Sequence, residues 1–327
     1  MRHLVLSAGL LLFTPAALAQ AVTRPVVTVS AGVLRSSETY DEQGNTNDAM
    51  LQSRSFSVSF GAEVPVWNRR GTTVSAGATL VAASYELRLE DDGGALLDGR
   101  LRPQRLDAFG RVGNARASAL LGVSLNVGRD LYDVDYAATV EETGLFDVNS
   151  DGQHAAVAQV RGAYPLGRAR VTGQVDAALT FASRAAVPVL DVGNPDAPFM
   201  LVDLEVDNGS PLSARLGVDV PVGPVVLGLA GFYASRSEGT VRFVDGVPPG
   251  FPPGYPAEQP NQFGYRRAVG LIPSVTVRTP DRRVTVRAEG SFSDLYAMEN
   301  APVGITLAGT SGFVTRPALT VSASVGL

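Results

Sequence analysis

The chain has no cysteine, one tryptophan and two histidines among its 327 residues, and all 27 of its basic residues are arginine. Without cysteine there can be no disulfide framework, no thiolate metal centre and no lipid-bearing N-terminal cysteine. A formal charge of −5 gives no basic surface for a nucleic acid, so no nucleic-acid partner is expected. Past the first twenty residues, no apolar run approaches the roughly 20 residues that a membrane-crossing helix needs. Helical periodicity is almost absent as well. What remains is a chain of 35 glycines and few aromatics (7%), which suits extended strands with small side chains.

The N-terminal stretch MRHLVLSAGLLLFTPAALAQ has its own grammar. Arg2 and His3 form a basic start, residues 4–13 an apolar run, and Ala17-Leu18-Ala19 a small-residue cleavage motif. Pro15 ends the run too early for a membrane anchor. A secretory signal peptide is expected over residues 1–19, followed by a single domain over 20–327.

Period-two alternation recurs along the rest. Leu319, Val321, Ala323, Val325 and Leu327 share one face of the last segment, with Ala318, Thr320, Ser322 and Ser324 on the other. Val284, Val286, Ala288 and Phe292 oppose Arg283, Thr285, Arg287, Glu289 and Ser291 in the same way. Read throughout, the pattern predicts about twelve strands, near 24–36, 53–66, 72–88, 102–112, 117–129, 153–164, 168–183, 211–221, 224–236, 266–278, 282–294 and 316–327. In 72–88 the apolar phase switches, which predicts a bulge near Ala82-Ala83. Connections alternate between short and long. Tight turns are expected at 67–71, 113–114, 165–167, 222–223 and 279–281, and long polar connections at 37–52, 89–101, 130–152, 184–210, 237–265 and 295–315.

That alternation resembles the outer-membrane β-barrel proteins of diderm bacteria, in particular small porin-like barrels of about twelve strands. The resemblance covers the whole chain after the signal peptide and rests on pattern. It implies an all-β fold, an antiparallel up-and-down transmembrane barrel with short periplasmic turns and long extracellular loops, whose apolar faces meet outer-membrane lipid. Trp67, Tyr164, Tyr233, Tyr265 and Tyr296 fall at interface heights.

Little in the sequence suits catalysis. After the signal peptide the single histidine is His154, and Ala156 stands where outer-membrane phospholipases carry a serine two residues on. No enzyme is expected. Residues of opposite parity to the apolar faces should point inward: Glu63, Arg105, Asp107, Arg111, Arg161, Arg170, Asp176, Arg215, Asp219, Arg283, Arg287 and Glu289. Two readings stay open. One is a passive, narrow aqueous pore for small hydrophilic solutes or ions, with these residues lining it. The other is a structural or anchoring barrel with a salt-bridged lumen, whose acidic outer loops bind cations or a surface layer. The loop 247–256 is proline-dense and suits either a constriction or an inert surface segment.

In the stretch FDVNSDGQH, Asp147, Asn149, Asp151 and Gly152 match the start of a calcium loop. Position twelve of that loop is Ala158 instead of a glutamate, which excludes an EF-hand. A weak Ca2+ site completed by neighbouring loop acids, or a solvated turn, remains. No other cofactor is expected.

Overall fold

The computed structural model describes residues 23–35, 38–41, 51–89, 95–97, 101–128, 153–190, 199–207, 209–248, 251, 253–261, 267–281, 283–297, 312–315 and 317–327. The expected signal peptide lies outside them. Twelve strands build the wall: β1 (Val26–Arg35), β2 (Leu51–Arg69), β3 (Thr72–Leu89), β4 (Arg102–Gly113), β5 (Ala117–Asn126), β6 (Ala155–Leu166), β7 (Ala169–Thr180), β8 (Pro211–Val222), β9 (Val225–Arg236), β10 (Arg267–Arg278), β11 (Val284–Ala297) and β12 (Ala318–Gly326). Each pairs antiparallel with the next, and β12 returns to β1 in a register running from Val26↔Gly326 to Leu34↔Ala318. The barrel is therefore closed. Closure leaves no strand edge in lipid, where an unpaired backbone group would cost several kcal/mol. Short strands Glu38–Asp41, Ala95–Leu97 and Gly312–Thr315 join the wall at its loop end.

The alternation sets which side chains face which medium. On β1, Val27, Val29 and Val33 are exposed while Ser30 is buried. The same holds around the barrel: Phe60, Leu121, Leu216 and Phe292 stand outside, whereas Ser59, Ser124, Asp219 and Ser291 are enclosed. The outside is an apolar band suited to lipid, and the inside is polar. Trp67 and Tyr164 sit near turn ends and Tyr233 near a loop end, all exposed.

At the turn end the hairpins are tight. Arg70 and Gly71 both have positive φ (51° and 80°), as a primed two-residue turn between β2 and β3 demands. Gly167 and Gly223 open the two-residue turns after β6 and β8 with φ near 60°. After β4, the Asn114 side chain accepts the backbone N–H groups of Arg116 and Ala117 at 2.8 and 3.0 Å.

Two expectations need correction. The bulge falls at the expected height, between Val81 and Ala82, but the extra residue is on β4 and not on β3. The β2–β3 ladder runs straight through Val58↔Ala82, whereas on the other side Val81 faces Arg105 and Ala82 faces Pro103. The extra residue is Gln104, beside a proline that cannot donate to the ladder. Parts of the long polar connections 184–210 and 237–265 are also structured. They form a second antiparallel sheet from Ser183–Leu190, Phe199–Val206, Gly239–Phe243 and Glu258–Asn261. Val202, Leu204, Val241 and Phe243 are buried in it. Phe251 and Tyr255 of the proline-dense loop pack on Phe243 with ring centroids 5.3 and 6.1 Å away, so this loop is anchored to the outer sheet.

Candidate functional site: the barrel interior

The inner wall gathers most of the residues that parity points inward. Glu63, Asp107, Arg111, Arg161, Asp176, Asp219 and Glu289 are buried. Arg105, Arg170, Arg215 and Arg287 are half-buried on the same face of their strands. Arg283 stands elsewhere. It precedes β11 in an exposed turn, where its Nε lies 3.7 Å from Asp281, because the alternation of β11 extends one residue past the end of the wall.

Three carboxylates organise the inward charges. Glu63 on β2 is 3.2 Å from Arg111 Nη1 on β4 and accepts the Ser75 hydroxyl from β3 between them. Asp176 accepts Gln174 Nε2 at 2.5 Å and Ser213 at 3.3 Å, together with Gln159. Glu289 lies 2.8 Å from Arg287 Nη2 and 3.7 Å from Arg215 Nη1. Arg287 Nη2 also donates to Ser274 at 3.2 Å. Arg105 pairs with Asp107 at 3.0 Å on its own strand. Ion pairs of this kind persist inside a barrel because their remaining lone pairs and protons can meet hydroxyls, amides and water.

The opposite side of the lumen is built differently. Along β12, β1 and β2 the inner face carries Thr320, Ser322, Ser324, Thr28, Ser30, Ser57 and Ser59. Ser30 and Ser59 hydroxyls are 2.5 Å apart, and those of Thr28 and Ser324 3.0 Å apart.

Near the loop end the inner face turns apolar. Phe232, Ala234, Ala268 and Ile272 form a buried cluster between β9 and β10. Val81 and Ala83 are buried on β3. Sequence reasoning missed these residues, since it assigned every large apolar side chain to the lipid face. A segment apolar on both faces has no contrast from which parity can be read.

Between the charged belt and this cluster lies a cavity of about 70 Å³, walled by Arg161, Arg170, Arg215, Asp219, Arg287 and Glu289. Ala230 and Ile272 complete its apolar side. That volume has room for a few waters. Near the loop end, the amide of Gln104 is buried and neither its nitrogen nor its oxygen has a hydrogen-bond partner in the protein.

His154 is exposed at the start of β6, and its Nδ1 accepts the backbone N–H of Asn126 at 3.1 Å. The calcium candidates Asp147, Asn149 and Asp151 lie outside the described residues.

No protein-family model and no curated protein sequence matches the chain. Solved structures do match it. An outer membrane channel from Pseudomonas putida F1 aligns over 94% of this chain and 97% of its own, at 14% identity and a TM-score of 0.57. The deltaS2 mutant of the TodX monoaromatic hydrocarbon channel aligns over 96% and 93%, at 11% identity and a TM-score of 0.50. At such identities the likeness is one of fold. The chain has the closed, twelve-stranded antiparallel architecture of outer-membrane β-barrels.

Proposed function

We propose that this barrel is a passive channel in the outer membrane, reached through a cleaved signal peptide, that lets small hydrophilic solutes or ions through. One observation carries the reading: a closed wall, apolar outside, whose inner face presents charged and hydroxyl side chains around a cavity large enough for water. Charged groups and water-sized space together lower the cost of moving a hydrated solute through a low-dielectric wall. The inward residues Glu63, Arg105, Asp107, Arg111, Arg161, Arg170, Asp176, Arg215, Asp219, Arg287 and Glu289 would line that path. The monoaromatic hydrocarbon named for TodX would meet a matching lining, among the described residues, in the apolar cluster around Phe232 and Ile272.

The ion-pair clasps favour a second reading. Arg111–Glu63 and Arg215–Glu289–Arg287 tie different strands together and could hold the interior shut as a scaffold. Planar-bilayer recording with the purified, folded chain separates the two. Discrete conductance steps, with osmotic swelling of loaded liposomes in small sugars, are expected for the channel. Silence over repeated insertions of folded protein would leave the scaffold.

A further inference from the structure

Exposed arginines at the two ends of the barrel sit in opposite settings. In the outer sheet at the loop end they are faced by acids. The ladders align Arg184, Glu205, Arg242 and Glu258 in one row, alternating in sign across all four strands. Arg242 closes on Glu205 within that row. Such a row neutralises itself. At the turn end, Arg69 and Arg70 stand where β2 passes into β3, Arg116 between β4 and β5, and Arg168 between β6 and β7, all exposed. These three turns read Trp-Asn-Arg-Arg-Gly, Gly-Asn-Ala-Arg-Ala and Pro-Leu-Gly-Arg-Ala, with no acid among them. Asp281, the acid of the β10–β11 turn, is already held by Thr279 and Arg283. Four positive charges thus lie on three neighbouring hairpins, an arc of roughly 20 Å at the usual strand spacing.

Backbone geometry holds these charges at the tips of their hairpins. Arg70 takes a φ of 51° in one two-residue turn, and Arg168 follows Gly167 in another. Arg116 is fixed twice: its N–H donates to Asn114 at 2.8 Å, and its carbonyl accepts the N–H of Ala163 on β6 at 2.7 Å. Just inside the arginines the apolar band ends in aromatic rings. A bulge between Pro65 and Trp67 leaves Val66 and Trp67 both exposed, and Arg69 shares the face of Trp67. Tyr164, next to Ala163 on β6, is exposed as well. Rings of this kind rest where hydrocarbon gives way to headgroups, so guanidiniums a short step beyond them fall among the phosphates.

We propose that this turn-end patch binds anionic phospholipid headgroups, of the phosphatidylglycerol class, in the leaflet that surrounds it. Guanidinium forks pair with the phosphate oxygens. The surplus of positive charge favours a lipid of net negative charge over a zwitterionic one, whose own ammonium group would face the arginines. The inference needs only that the barrel spans a bilayer, and it holds whether or not the barrel conducts.

Trp67, the single tryptophan of the chain, is a reporter two residues from Arg69. The full purified barrel is reconstituted in mixed vesicles of phosphatidylcholine and phosphatidylglycerol, with bromine on the acyl chains of one lipid or the other. Quenching of Trp67 by each brominated lipid gives their relative occupancy beside the ring. At low salt phosphatidylglycerol should be enriched there about fivefold over phosphatidylcholine, the effect of one arginine meeting an anionic headgroup. The enrichment should fade in molar salt. Arg69→Gln combined with Arg70→Asn should abolish it, asparagine being chosen because it tolerates the positive φ of residue 70. Arg283→Gln, whose side chain faces Asp281 on the β10–β11 turn, should leave it unchanged. If the double variant does not fold, the salt dependence of the unaltered chain decides alone. Equal quenching by the two lipids at low salt would overturn the proposal, as would an enrichment that survives molar salt or the double substitution.

Discussion

Arg111 reaches Glu63 across an intervening strand. The two lie on β4 and β2, and Ser75 of β3 donates to the same carboxylate from between them. The contact locks three strands at one height of the barrel. Both side chains are about nine-tenths buried, so removing one partner leaves an enclosed charge without its counter-ion. Arg111→Met should therefore lower unfolding stability by about 3–5 kcal/mol, whereas Arg111→Met with Glu63→Met should cost less than either single change. Urea unfolding in detergent micelles, followed by tryptophan fluorescence, measures the cycle. Additive losses would show that the pair carries no coupling.

Gly223 isolates backbone conformation from packing. Its φ of 62° lies in the left-handed region, and a Cβ there would touch nothing within 4 Å. Gly223→Ala should destabilise the barrel by about 1–2 kcal/mol through that angle alone. Gly162, equally open but with an ordinary strand backbone, should tolerate alanine with little change. Equal thermal shifts for the two variants would contradict the argument.

Asp281 links the β10–β11 turn to pH. Its carboxyl is held below the ordinary carboxylate range, first by the Thr279 hydroxyl that donates to it and then by the Arg283 backbone N–H. A depressed folded-state pKa means that the contribution is present above the unfolded value and lost as pH falls through the folded one. The turn should loosen only in acid, below pH about 4. Carbon-13 NMR titration of that carboxyl, with Asp281→Asn as the silent reference, gives the midpoint. A value at or above that of free aspartate would refute the assignment.

Phe243 anchors the outer sheet to the proline-dense loop through Phe251 and Tyr255. Phe243→Ala should cost that sheet about 3–5 kcal/mol. The barrel hydrogen-bonds through a separate ladder and should keep its melting temperature. Limited proteolysis should then nick residues 247–256 quickly while the barrel band persists. Loss of the barrel as well would mean that the outer sheet supports it.

The wall was legible in the sequence because lipid outside and polar groups inside impose opposite demands on alternate residues. Val284, Val286 and Phe292 against Arg287 and Glu289 were enough to orient β11. Arg283 shows the limit of that logic, since parity continues in the sequence after the strand has ended. The apolar inner patch at Phe232 and Ile272 was not legible, because both faces of β9 and β10 are apolar there. The partners of the inward charges were hidden for another reason. Arg111 and Glu63 meet only because the register of two ladders sets their heights, and register is fixed by turns and bulges far from either residue.

Thr28 and Ser324 touch although 296 residues separate them in the chain. Every other seam of the wall joins strands that are consecutive in the chain, so hairpins can zip one after another as the chain becomes available, each closing a comparatively short loop. The seam between β1 and β12 cannot. Until β12 arrives, the growing sheet carries two open edges, each a template for pairing with another chain. The last strand therefore sets the time at which the sheet stops being prone to aggregation, and substitutions along the β1–β12 seam should alter folding yield more than they alter the stability of the finished barrel.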